Sequence, residues 1–189
     1  EAKPAFEKWA LTADSDQLAE AQPQESLILH VPLNEGLGDK VKSSVNGEAQ
    51  TFKSKGFLTW DPKGKIGPAP RIKRGRTFDL GDLADFKADQ SFSYGAWVRS
   101  PQRLNGSVFA RMDGAKKFQG WDLWQQGGQF GTHIVESWPE NAIKVVTEKN
   151  VLKPTQWNHI FVTYDGSGKA EGIRLYYNGA EQAKKIETN

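Results

Sequence analysis

The chain has 189 residues, a formal net charge of +2 and no cysteine. That length suits one domain of ordinary size with a short appendage. Near-neutral charge gives no global drive toward nucleic acid or an anionic membrane, and the missing thiols exclude disulfides, thiolate metal sites and cysteine nucleophiles.

In chain order, residues 1–26 stand apart, because Ala, Glu, Lys and Gln dominate and Phe6, Trp9 and Ala10 fall at helical spacing. Pro4 and Pro23 bracket this segment, which reads as a short helical linker leading into the domain. It shows no basic, apolar leader pattern, and no apolar run in the chain reaches membrane-span length. From Ser26 the periodicity changes. SLILHVPL reads as a strand, NEGLGDKV as a glycine loop and QTFKSKGFLTW as one or two strands. DPKGKIGPAPRIKRGR is a long irregular loop, and TFDLGDLADFKADQ joins a strand end to an acidic turn. SFSYGAWVRS, NGSVFARM, GWDLWQQ, QFGTHIV, AIKVVTE, WNHIFVTYD and GIRLYYN follow as strands. About ten strands without intervening helices predict an all-β, antiparallel sandwich.

Gly127-Gly128 supplies the positive φ that a type I′ hairpin turn needs at both centres. Counting outward from a two-residue loop sets Gln126 against Gln129, Trp124 against Gly131, Asp122 against His133 and Trp121 against Ile134. Alternation then sorts the side chains onto two faces. Trp121, Leu123, Phe130 and Ile134 form a core face; Asp122, Trp124, Gly131 and His133 form a polar face with one indole opposite a glycine. Such a face suits a sugar, whose C–H side stacks on an indole while its hydroxyls meet mixed donors and acceptors. The same geometry also lets Trp124 serve only as cover for Gly131, with Asp122 and His133 as a surface pair. Trp138, in ESWPEN, is either a second wall of that site or a loop anchor.

Other clusters carry weaker signals. Asp79, Asp82, Asp85 and Asp89 supply clustered oxygens of the kind calcium takes, without EF-hand spacing, and a solvated acidic turn has the same appearance. Asn34, Glu35 and Asp39 form a second oxygen cluster of that kind. Lys63, Lys65, Arg71, Lys73, Arg74 and Arg76 place six cations in fourteen residues, suited to an anionic polymer or simply to a solvated loop. His159, Phe161, Tyr164, Tyr176 and Tyr177 read as strand packing. The sequence contains no metalloprotease HExxH, phosphate-binding glycine loop or Glu-x-Asp-x-x-Glu string, so no enzyme is expected.

SFSYGAWVR, GWDLWQQGGQFGTHI and QWNHIFVTYDGSGKAEGIRLYYNG together resemble the laminin-G-like domains of the concanavalin A-like lectin/glucanase superfamily. The matching positions are Phe92, Trp97, Gly120, Leu123, Trp157, His159, Thr163, Tyr164, Asp165, Gly166, Tyr177, Asn178 and Gly179. SLILHVPLNEGLGD resembles the family's opening strand and glycine loop. The wording of the segments is similar to the module of large planctomycete-type multidomain proteins that also carry cytochrome c-like domains. The resemblance implies a two-sheet antiparallel jelly roll over 27–189, with 1–26 as helical appendage. KKIETN ends the chain before the family's last strands appear, so the domain is expected to be truncated or to close differently. The expected function is a non-catalytic, lectin-like module of a larger extracytoplasmic protein, with a polysaccharide or glycan as partner. The alternative is a structural or protein-interaction module that contacts neighbouring domains of the same polypeptide. No cofactor is required by this reading; a structural calcium on the oxygen clusters is the one candidate, and neither nucleic acid nor membrane insertion is expected.

Overall fold

The structure, a computed structural model, describes residues 25–189. The helix expected within 1–26 lies outside these residues. The chain divides into two compact units, Glu1–Leu80 and Gly81–Asn189.

The first unit holds β1 (Leu29–His30), β2 (Lys40–Val45), β3 (Glu48–Lys55), β4 (Trp60–Asp61), β5 (Ala69–Pro70) and β6 (Thr77–Phe78). Four of these make an antiparallel sheet in the order β1-β2-β3-β6, and β4 pairs with β5. Sequence periodicity places a loop over the start of β2 and begins the next strand only at Gln50. In the structure β2 and β3 form a hairpin around Asn46-Gly47, where both residues take positive φ (50° and 83°). Val41, Ser43 and Val45 alternate into the buried side of β2, between the exposed lysines 40 and 42 that mask the pattern. The long strand expected from SLILHVPL shrinks to Leu29–His30.

The second unit contains β7 (Phe92–Val98), β8 (Asn105–Asp113), β9 (Gln119–Gln126), β10 (Gln129–Ser137), β11 (Asn141–Thr147), β12 (Asn158–Tyr164), β13 (Ile173–Tyr177), β14 (Ala180–Gln182) and β15 (Lys184–Thr188). They form two antiparallel sheets, in the orders β15-β11-β10-β9-β8 and β14-β13-β12-β7. Together they make the two-sheet, all-β sandwich of the jelly-roll class. Alternate residues of each strand face the shared interior, as a half-buried strand requires. Trp121, Leu123, Phe130, Ile143 and Val145 come from the five-stranded sheet; Phe92, Tyr94, Ile160, Val162, Tyr164, Ile173 and Leu175 come from the four-stranded one. The Trp121 ring stacks on Tyr94 at 4.6 Å, and its Nε1–H donates to the Ala84 carbonyl at 3.0 Å. The register of the Gly127-Gly128 hairpin is the one counted from the sequence: Gln129 against Gln126, Gly131 against Trp124, Ile134 against Trp121.

Two polar features join the sheets. The Tyr94 hydroxyl crosses the core to the Asp122 carbonyl (3.1 Å) and to Thr132 Oγ1, which itself donates to the same carbonyl at 2.7 Å. Burial pushes the Tyr94 phenol far above its ordinary titration range, so it stays a donor. At the β15 edge, the Lys184 ammonium donates to the carbonyls of Ala170, Glu171 and Ile173, using all three of its hydrogens. The neighbouring Glu187 pairs with Lys144 at 2.8 Å across β11 and β15.

Tyr94→Phe removes a hydroxyl that cannot be replaced by water in the core. Its unfolding free energy, measured by urea melts, is expected to fall by about 1–3 kcal/mol. An unchanged midpoint would show that the buried hydroxyls do not help to hold the sheets. The hydrogen bond from Lys144, above all, holds the Glu187 carboxyl below its ordinary value of 4.5. A depressed carboxylate contributes stability above the unfolded value and loses it as pH falls through the folded one. Glu187→Gln is therefore expected to flatten the stability–pH curve below pH 4.5 and leave its shape near neutrality alone.

Candidate functional site

The polar face of the Gly127-Gly128 hairpin lies on the outer side of the five-stranded sheet. Asp122 on β9 is the first surprise, because it is 4% exposed. Its Oδ1 accepts the backbone N–H of His133 at 2.9 Å and meets His133 Nδ1 at 3.0 Å, while Ser107 Oγ approaches Oδ2 at 3.4 Å. A carboxylate only accepts, so Nδ1 of His133 carries the hydrogen. In that tautomer Nε2 is the ring's acceptor. Asp122 thus acts as a side-chain rung in the ladder and as the group that orients the imidazole.

His133 lies directly opposite Lys144 on β11, and Lys144 pairs with Glu187 of β15. A row of Asp122, His133, Lys144 and Glu187 therefore crosses the sheet with alternating character: acid, imidazole, ammonium, acid. Indoles line this row. Trp124 packs against His133 with ring centroids 5.2 Å apart, and Trp138 approaches the other side of His133 edge-on at 5.8 Å and 80°. Trp138 sits in the tight turn between β10 and β11, where its N–H donates to the Lys117 carbonyl at 2.9 Å and its peptide bond to Pro139 is cis. All four side chains expected at the face, Asp122, Trp124, His133 and Trp138, are brought together.

Their exposures differ from the expectation. Trp138 is 36% exposed and presents the accessible indole. Trp124 is half-buried, and the Lys144 ammonium stands 4.9 Å from its ring centroid, in the range of a cation–π contact. Gly131 is small for a reason of its own. A Cβ there would stand 2.0 Å from the Val145 carbonyl oxygen and 2.9 Å from the Val146 Cα, so the adjacent strand demands glycine whatever Trp124 does.

Lys144 and Glu187 were not visible as site residues in the sequence. Lys144 joins the face only once the β10–β11 turn length is known, and Glu187 belongs to a strand that periodicity did not reveal.

The acidic cluster is dispersed among protein cations. Asp82 and Asp85 both ion-pair with Arg111, at 2.6 and 3.0 Å, and Asp85 also meets Lys87. In the first unit, Asp79 pairs with Lys55 and Asp39 with Lys53, while Glu35 Oε1 accepts the Lys42 N–H. Asn34 is exposed beside Gly67. Among the described residues no group of three or more histidine, aspartate or glutamate side chains is placed to hold a metal ion. In the basic loop Arg71 pairs with Asp61 at 3.0 Å, and Lys73 and Arg76 bridge through their backbones. No helix among the described residues is long and apolar enough to cross a membrane.

No curated protein and no solved structure matches the chain. The family model described as the concanavalin A-like lectin/glucanases superfamily matches residues 74–189, which take in the whole second unit and more than half of the sequence. The chain belongs to the concanavalin A-like lectin/glucanases superfamily.

Proposed function

We propose that this chain is a non-catalytic carbohydrate-binding module of a larger extracytoplasmic protein, with its site on the outer face of the five-stranded sheet. The observation that supports this is the oriented His133 imidazole, in ring contact with Trp138 and Trp124 within a row that runs acid, imidazole, ammonium, acid. A pyranose laid on the accessible Trp138 indole would bury its C–H side there. One hydroxyl would donate to His133 Nε2, and others would meet Lys144 Nζ and Glu187. Asp122 holds His133 in place before any ligand arrives, which removes part of the ordering cost of binding.

The chemistry of the two carboxylates supports binding without hydrolysis. Glycoside cleavage needs one carboxyl free to give a proton and another free to attack or to activate water. Asp122 is enclosed and hydrogen-bonded to His133, and Glu187 is committed to Lys144 and held ionised by it. This reading gives calcium no role: Asp82 and Asp85 both pair with Arg111, and Asp85 also with Lys87. A second reading, a structural or protein-interaction module, draws on the Lys144 ammonium over Trp124, which covers one of the two aromatic walls.

The test is titration calorimetry against polysaccharide fragments selected from a broad glycan panel, with calcium and with chelator. Trp138→Ala is expected to weaken the selected glycan about tenfold, about 1.4 kcal/mol, with the fold intact by circular dichroism. Chelator is expected to change nothing. Unaltered affinity in the variant removes the site from this face, and a folded protein that binds nothing in the panel favours the second reading.

A further inference from the structure

The opposite outer face, that of the four-stranded sheet, carries an aromatic strip of its own. Trp97 on β7 stands directly across from His159 on β12, with ring centroids 5.0 Å apart at 44°. The His159 ring stacks in turn on Phe161 at 6.0 Å and 21°. Phe161 reaches over the neighbouring strand, where Gly95 leaves room for it: a Cβ at Gly95 would stand 2.4 Å from Phe161 Cδ2. Tyr176 of β13 is the next residue along that row. Trp97 is 40% exposed, a large fraction for an indole on a sheet.

We propose that this strip is a second carbohydrate platform that takes an uncharged polysaccharide chain, built from Trp97, His159 and Phe161 and independent of Trp138 and His133.

Three features favour that occupant. The first is size. Four strands of at most seven residues offer about 400 Å² of sheet in plan. A few sugar rings need no more. The second is the border of the strip, where Ser93 and Thr163 lie across from each other and hydroxyls provide both donors and acceptors. The third is charge. Arg174 and Glu181 neutralise each other at 3.5 Å, and partial burial lowers the His159 pKa, so that its ring is neutral at pH 7. The middle of the face is rings and hydroxyls, which complement a neutral polymer, and the Arg99 guanidinium stands over the Trp157 ring at its end. The inference shares its ligand class with the proposed function but none of its residues. With a site on each outer face of one sandwich, a single module would join two chains of the polymer.

The experiment is depletion of the full chain by insoluble cellulose, xylan, mannan and chitin, with soluble oligosaccharides of any retained polymer titrated for stoichiometry. Wild type is expected to take two ligands per chain. Trp97→Ala should take one, with about tenfold weaker retention on the solid polymer, and Trp97→Tyr should restore most of that loss. Trp138→Ala should keep a residual retention that disappears in the Trp97→Ala/Trp138→Ala double variant. Loss in Trp97→Ala with no change in Trp138→Ala would support this platform and sink the first site. Wild-type retention and stoichiometry in Trp97→Ala would overturn the platform, as would a wild type retained by none of the four polymers. Self-association in sedimentation velocity that Trp97→Ala abolishes would also overturn it, by making the strip a contact between copies.

Discussion

The backbone of Asp122 serves the core while its buried side chain serves the other side of the sheet, and the rest of the second unit depends on that division. Its carbonyl collects the hydroxyls of Tyr94 and Thr132 from inside the sandwich. Its carboxylate faces outward and fixes both the backbone and the ring of His133. A single strand residue therefore ties the packing of two sheets to the orientation of one imidazole. Buried polar groups cost heavily when left unpaired, so this network specifies one arrangement of the strands around it. Asp122 is a positioning group in this scheme, and His133, Trp138 and Lys144 are the groups that a ligand would meet.

The two outer faces are built alike and behave differently. Each sets a tryptophan beside a histidine, at 5.2 Å on one face and 5.0 Å on the other. On the five-stranded sheet the histidine has a buried carboxylate behind it and a lysine–glutamate pair beside it, which gives that face directional hydrogen bonding. On the four-stranded sheet the histidine lies between two rings, tilted 44° to Trp97 and 21° to Phe161, which gives an apolar aromatic strip. The inward residues close the core by alternation, and the outward ones build these two faces under constraints of their own: Val135, Ala142 and Val146 are buried on the five-stranded side, and Gly131 and Gly95 are held small by close contacts.

What could be read from the sequence follows from how locally each feature is determined. Gly127-Gly128 admits one favoured short turn, so the hairpin register, the buried side of Trp121 and Phe130, and the meeting of Asp122 with His133 all follow from counting. Three things needed distances along the chain that counting cannot supply. Lys144 required the length of the Trp138–Glu140 turn, Glu187 required a strand hidden in KKIETN, and the enclosure of Asp122 required the neighbours that cover it. The β2–β3 hairpin was hidden because lysines alternate with the small buried residues of β2. Its Asn46-Gly47 turn was the available signal.

The most direct measurement is a two-dimensional NMR titration that follows the His133 imidazole and the Trp138 indole while a bound glycan fragment is added. The account predicts that the free protein shows His133 protonated on Nδ1, and that the signals of both rings move together as the sugar binds. Binding that leaves the His133 and Trp138 signals where they were would contradict it.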